Sequence, residues 1–114
     1  APLSYEDSLF VRGAGRMHFL KVRRIVSIEG RGSTTEVRLA SGEIAEVRKS
    51  IGEWESRLPS SQFVRIHRSV LINLDYVDRV EDWFQATYRV HMRGGGPPLQ
   101  ISRRYASQLR SRLG

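Results

Sequence analysis

The chain contains no cysteine. Neither a disulfide framework nor a thiolate metal site can form, so the fold must stand on its own core. No apolar run approaches the roughly 18 residues needed to span a bilayer. The opening Ala1-Pro2-Leu3-Ser4-Tyr5-Glu6-Asp7 also lacks the pattern of a signal peptide. Those absences describe a soluble, cytosolic protein with no membrane partner, and a start at Ala within a polar stretch reads as a piece of something longer. Enzyme signatures are missing too: there is no G-x-S-x-G, no H-E-x-x-H and no phosphate loop ending in Gly-Lys-Ser/Thr. His18, His67 and His91 stand too far apart in sequence to suggest a metal site. The expectation is a protein without enzyme activity, cofactor or metal.

Acidic residues are in deficit. Nineteen Lys and Arg against twelve Asp and Glu give a net charge of +7 and a pI near 10.8. Such a balance favours a polyanionic partner. Most of the positive charge is arginine, whose planar fork donates two parallel hydrogen bonds to phosphate or guanine where lysine offers only a point charge. Charge alone leaves plain solubility as an equal alternative. At 114 residues the chain fits one compact domain, since a chain this short rarely supports two cores.

Residues 1–7 are polar with a proline, which reads as a linker or flexible lead-in, and residues 8–114 form the domain. From there short apolar segments alternate with turn signals. Segments 9–11 and 17–22 flank Gly13-Ala14-Gly15; then come 25–29, a loop at 30–33, the alternating Thr35/Val37/Leu39, a turn at 40–42 and a segment at 43–48. This is hairpin grammar, with four or five strands in the first half. Ser50 and Glu53 form a capping box, Ile51, Trp54 and Leu58 share one helical face, and Pro59 stops the helix. Strands resume at 63–66, 70–72, 76–81 and 86–92, followed by the turn Gly94-Gly95-Gly96-Pro97-Pro98 and the segment 99–101. Ser102 then caps a second helix with Tyr105, Ala106, Leu109 and Leu113 facing inward. Arg110 and Arg112 fit a solvated face, since cations near a helix C-terminus are locally stabilising. The fold class is therefore mostly β, with mainly antiparallel short strands and two short helices.

The segment richest in chemistry runs Phe63-Val64-Arg65-Ile66-His67-Arg68-Ser69-Val70-Leu71-Ile72-Asn73-Leu74. Two apolar runs there flank a polar cluster that should project from the sheet. Arg68 suits a base edge or phosphate, and the Ser69 hydroxyl a phosphate oxygen. His67 fits an orienting hydrogen bond near the backbone at least as well as a nucleic-acid contact. Arg104 sits in the first turn of the last helix, where free amides and the dipole already attract phosphate.

This segment resembles the F-x-R-I-H-R-S-y-l-V-N-l stretch of the LytTR DNA-binding domains of bacterial transcription regulators. Ile101-Ser102-Arg103-Arg104-Tyr105 followed by Leu109 resembles their closing v-S-R-r-y-x-x-x-L, and the resemblance covers roughly residues 9–113. It implies an elongated β fold that binds double-stranded DNA through loops reaching into successive grooves. It implies base contacts by Arg68 and Arg104 and by a third residue in the loop 30–35, for which Arg31 has the charge and reach. Ser33, Thr34, His67, Ser69, Arg103 and Tyr105 are the implied phosphate partners. It further implies a regulatory domain elsewhere in the protein, commonly a phosphorylated receiver, with paired direct repeats as target and a homodimer on DNA. Two rival readings stay open. One is an RNA or single-strand platform built on Tyr5, Trp83, Phe84 and Tyr88; the other is a module of the same fold that signals through protein contacts.

Overall fold

The computed structural model describes residues 2–83, 85 and 87–113, with side chains through residue 111. The positions of Ala1, Phe84, Ala86 and Gly114 and the side chains of Arg112 and Leu113 lie outside that description. The molecule is mostly β, as expected, and measures 42 × 28 × 24 Å along its principal axes.

Two hairpins open the chain. Strands β1 (Ser8–Arg12) and β2 (Met17–Lys21) pair across the Gly13–Arg16 turn, which Gly15 completes with φ +77°. Strands β3 (Ile25–Arg31), β4 (Thr34–Leu39) and β5 (Ile44–Val47) follow, then helix α1 (Ile51–Arg57), then β6 (Phe63–His67) and β7 (Val70–Asn73). These five form one antiparallel sheet in the order β5-β4-β3-β7-β6. Strands β8 (Val77–Asp82), β9 (Tyr88–Met92) and β10 (Leu99–Ile101) make a second sheet, and helix α2 (Arg103–Leu113) ends the chain.

The five-stranded sheet is a middle layer whose inner strands are buried on both faces, while β5 at its edge is covered on one. That explains why β7 reads Val-Leu-Ile-Asn without polar alternation and is buried at all four positions. On one face Ile25, Ile28, Val37, Val47, Leu71 and Phe63 meet Val11 and Leu20 of the first hairpin and Trp54 and Leu58 of α1. A bulge between Ile25 and Ser27 lets Ile25 and Ile28, three apart, face the same side. On the other face Val64, Ile66, Val70 and Ile72 meet Val90, Ile101 and Ala106. The α1 capping box forms as read from Ser50 and Glu53, each side chain accepting the other residue's amide.

Two departures from the sequence reading matter. Strand β3 continues through Gly30 to Arg31, so the expected loop 30–35 shrinks to the two-residue turn Gly32-Ser33; Gly32 supplies the positive φ of +71° that such a turn requires. Within residues 2–7, the Leu3 amide donates to the Arg57 carbonyl at 2.7 Å, and Leu3 and Tyr5 pack against the first core. The Tyr5 hydroxyl accepts a bond from the buried Asn73 amide at 2.9 Å, and burial pushes its phenol up to about 12 from 10.0. The stability from this shift is complete below pH 10 and is lost as pH rises towards 12, because the unfolded phenol ionises first. Alkaline melting curves are expected to show a smaller loss across that window in Tyr5→Phe than in the wild type; equal losses would remove Tyr5 from the alkaline limb.

Candidate nucleic-acid interface

Antiparallel pairing decides which turns meet. Glu29 pairs with Val70, so the end of β3 lies beside the start of β7, and the Gly30 amide donates to the Ser69 carbonyl at 2.7 Å. The turns at 32–33 and 68–69 therefore occupy the same end of the sheet. The Ser102 amide donates to the Ile66 carbonyl at 3.0 Å, which fixes the start of α2 beside the end of β6. Arg103 completes the cluster by donating from Nε to the Gln85 carbonyl at 3.0 Å and from Nη2 to Gln85 Oε1 at 3.1 Å. Four separate segments thus converge, although none is adjacent to the others in sequence.

Inside the β6–β7 turn the His67 ring is an internal strut. Its Nδ1 accepts from the Ser69 amide at 3.2 Å and lies 3.0 Å from Ser69 Oγ. Accepting at Nδ1 places the neutral ring's proton on Nε2, where it remains a donor. The turn is braced from below by Arg65, which donates to the carbonyls of His67 and Arg68 and to Glu55 Oε1 of α1 at 2.7 Å. The Arg68 side chain is exposed, and among the described residues it has no acidic partner.

At the neighbouring turn Arg31 is exposed and pairs with Glu36 at 3.2 Å, a contact weak enough in water to be exchanged for a stronger anion. Thr34 Oγ1 donates to the Arg31 carbonyl at 3.3 Å, and Ser33 is exposed at the tip. Arg104 is exposed at the start of α2, 5.7 Å from the centre of the Tyr105 ring, while Tyr105 is half-buried against the second core. All nine residues named from the sequence lie in this region: three around one turn, three around the next and three in the first turn of α2.

Sequence reading missed Arg65, Glu55 and Gln85. A signal for Arg65 was present: it shares the inward phase of β6 with Phe63, where an unpaired charge would be costly, so a partner was to be sought. Gln85 carried none. His91 is paired with Glu81 at 2.8 Å, and this bond holds the Glu81 carboxyl below its ordinary value. Among the described residues no three His, Asp or Glu lie together as a metal site would require, and no helix is long and apolar enough to cross a membrane. Among the described residues, the aromatics Tyr5, Trp83 and Tyr88 of the single-strand reading do not stand as a free stacking platform. Tyr5 and Tyr88 are half-buried with bonded hydroxyls, and Arg89 lies 3.4 Å over the exposed Trp83 ring.

Comparison with known proteins follows the same lines. The chain is similar to the transcriptional regulatory protein LytR of Staphylococcus aureus, with 28% identity over 111 residues that cover 97% of this chain and 44% of that protein. It is also similar to the sensory transduction protein LytT of Bacillus subtilis, with 39% identity over 59 residues that cover 52% of this chain and 24% of that protein. It thus spans less than half the length of these relatives. A solved LytTr DNA-binding domain from Bacillus cereus shares its fold, with a TM-score of 0.82 at 22% identity over 94% of this chain and 96% of that one. The family model of the LytTr DNA-binding domain matches residues 15–114, and the chain belongs to the LytTR family of DNA-binding domains.

Proposed function

We propose that this domain binds specific sequences in double-stranded DNA, and that it is the output module of a bacterial response regulator working in the cytoplasm. The observation that carries the reading is the convergence of two tight turns and the α2 N-terminus at one end of the sheet, with Arg68 and Arg104 exposed there. Arg68 and Arg104 read bases, joined by Arg31 once it releases Glu36. Ser33, Thr34, Ser69, His67 through Nε2, Tyr105 and Arg103 through its remaining guanidinium donors hold phosphates. Phosphate contacts supply most of the affinity, and each base contact contributes about 1–3 kcal/mol of discrimination. The family's habit of paired direct repeats, a homodimer on DNA and a receiver or other sensory domain in the same protein complete the proposal. No catalytic step, cofactor or metal enters it.

The test is selection from genomic DNA with the purified domain, followed by salt titration of the enriched duplex against a scrambled one. Enrichment of a short repeated motif, with affinity falling steeply as salt rises, is the expected result. Arg104→Ala then lowers affinity for the enriched duplex by about 1–3 kcal/mol and hardly affects the scrambled one, whereas Arg103→Ala weakens both alike. Equal binding to enriched and scrambled DNA at every salt concentration would reduce the positive charge to a generic attraction and favour signalling through protein contacts.

A further inference from the structure

At the end of the sheet away from this interface, a groove of about 410 Å³ runs between β2 and the β4–β5 turn. One wall is Phe19, Leu20 and Lys21, three consecutive residues; the other is Leu39, Ala40 and Ser41, with Arg24 between. Successive strand residues point to opposite faces, so three in a row line a groove only along the strand's edge.

The register shows that this edge is unpaired. The Gly13 amide bonds the Arg16 carbonyl and the Val22 amide bonds the Asp7 carbonyl, so hydrogen-bonded pairs fall at residues 16, 18, 20 and 22 of this strand. The amides of Met17, Phe19 and Lys21 and the carbonyls of Met17 and Phe19 therefore point away from β1 and meet no further strand among the described residues, while the Lys21 carbonyl caps the short helical turn Val22–Arg24. Phe19 stacks at 4.9 Å on Phe10, and both rings are more than half exposed. Lys21 and Arg24 are exposed without an ion pair among the described residues, whereas the adjacent Arg23 pairs with Glu6.

We propose that this edge docks an extended segment of a partner protein in which an apolar and an acidic residue stand two apart, on one face of the strand. Its backbone would extend the β1–β2 ribbon by one strand, its apolar side chain would cover Phe19, and its carboxylates would meet Lys21, which shares that exposed face, and Arg24 beyond the strand end. A second copy of this chain is the less suitable occupant, since it would bring its own Lys21 and Arg24 to a groove that holds no acid, and both chains carry +7. Because the groove and the DNA turns lie at opposite ends of β4, such a partner could bind together with DNA.

The probe is a blocked nine-residue peptide repeating Val-Thr-Glu-Thr, which sets valine and glutamate two apart on one face, titrated into the ¹⁵N-labelled domain. Peptides of the same length with lysine for glutamate or serine for valine serve as controls. Shifts confined to residues 17–24 and 39–41, with exchange of the Phe19 and Lys21 amides slowed about tenfold, are expected. Lys21→Gln with Arg24→Gln should weaken the peptide about tenfold, and the equally discharged Arg57→Gln with Arg93→Gln should not. Equal binding of the serine-for-valine peptide, shifts centred on Arg68 and Arg104, or unprotected Phe19 and Lys21 amides would overturn the proposal. So would protection that grows with protein concentration alone, which would assign the edge to a second copy. None of these outcomes bears on duplex binding, which is measured separately.

Discussion

Trp54→Ala is expected to remove a large fraction of the domain's stability. Trp54 has no solvent exposure and is the residue by which α1 grips the middle sheet, packing among Ile28, Val37 and Leu71 in the first core. Its indole Nε1 donates to Thr35 Oγ1 at 2.8 Å, and Thr35 is itself fully buried. Truncation removes the largest buried side chain and costs about 3–5 kcal/mol, against a total stability of about 5–15 kcal/mol for a domain of this kind. It also leaves the Thr35 hydroxyl without its partner. Trp54→Phe separates the two effects, because it keeps most of the apolar volume and loses only the hydrogen bond and part of the ring. Urea unfolding followed by circular dichroism should therefore place Trp54→Phe well above Trp54→Ala. Equal destabilisation would mean that the indole–threonine bond, not packing, fixes α1.

What the sequence disclosed and what it hid divide along physical lines. Hairpins were legible because glycine marks the turns: Gly15, Gly32 and Gly42 all take positive φ. Helix α1 was legible because Ser50 and Glu53 signal its start locally, and β7 because an apolar run too short for a helix fits a strand buried on both faces. Contacts between segments far apart in sequence were not legible. Nothing local shows that Leu3 and Tyr5, set in a polar stretch, reach α1 and Asn73, or that Gly30 and Arg31 extend a strand by pairing with Thr35 and Thr34. The nine interface residues were named from composition and resemblance, but the reason they lie together is the register of β3 with β7 and the Ser102–Ile66 bond, which only the folded chain reveals.

Arg65 yields the strongest expected effect on DNA binding of any residue that need not touch DNA. Its guanidinium donates to the carbonyls of His67 and Arg68 and is anchored to Glu55, with only 18% of its side chain exposed. Removing it releases the whole β6–β7 turn, so the base contact proposed for Arg68 and the phosphate contacts proposed for His67 and Ser69 are misplaced together. Arg65→Met should weaken binding to the enriched duplex by about a hundredfold, near 3 kcal/mol, the sum of one base contact and one or two hydrogen bonds. Lysine brings charge without the planar fork and cannot span three acceptors, so Arg65→Lys should recover only part of the loss. Direct and indirect roles differ in the comparison with scrambled DNA. Arg68→Ala is expected to affect the enriched duplex almost alone, whereas Arg65→Met should weaken both, because phosphate contacts fall with the turn. Thermal melting run in parallel should show Arg65→Met folded, with a stability loss of about 1–2 kcal/mol from the unmade hydrogen bonds. Amide exchange at Ser69 and Val70 gives a readout independent of DNA: faster exchange in Arg65→Met, partly restored in Arg65→Lys, is what a brace under this turn requires. Unchanged exchange together with full affinity would show that the turn holds its shape through His67 and Ser69 alone.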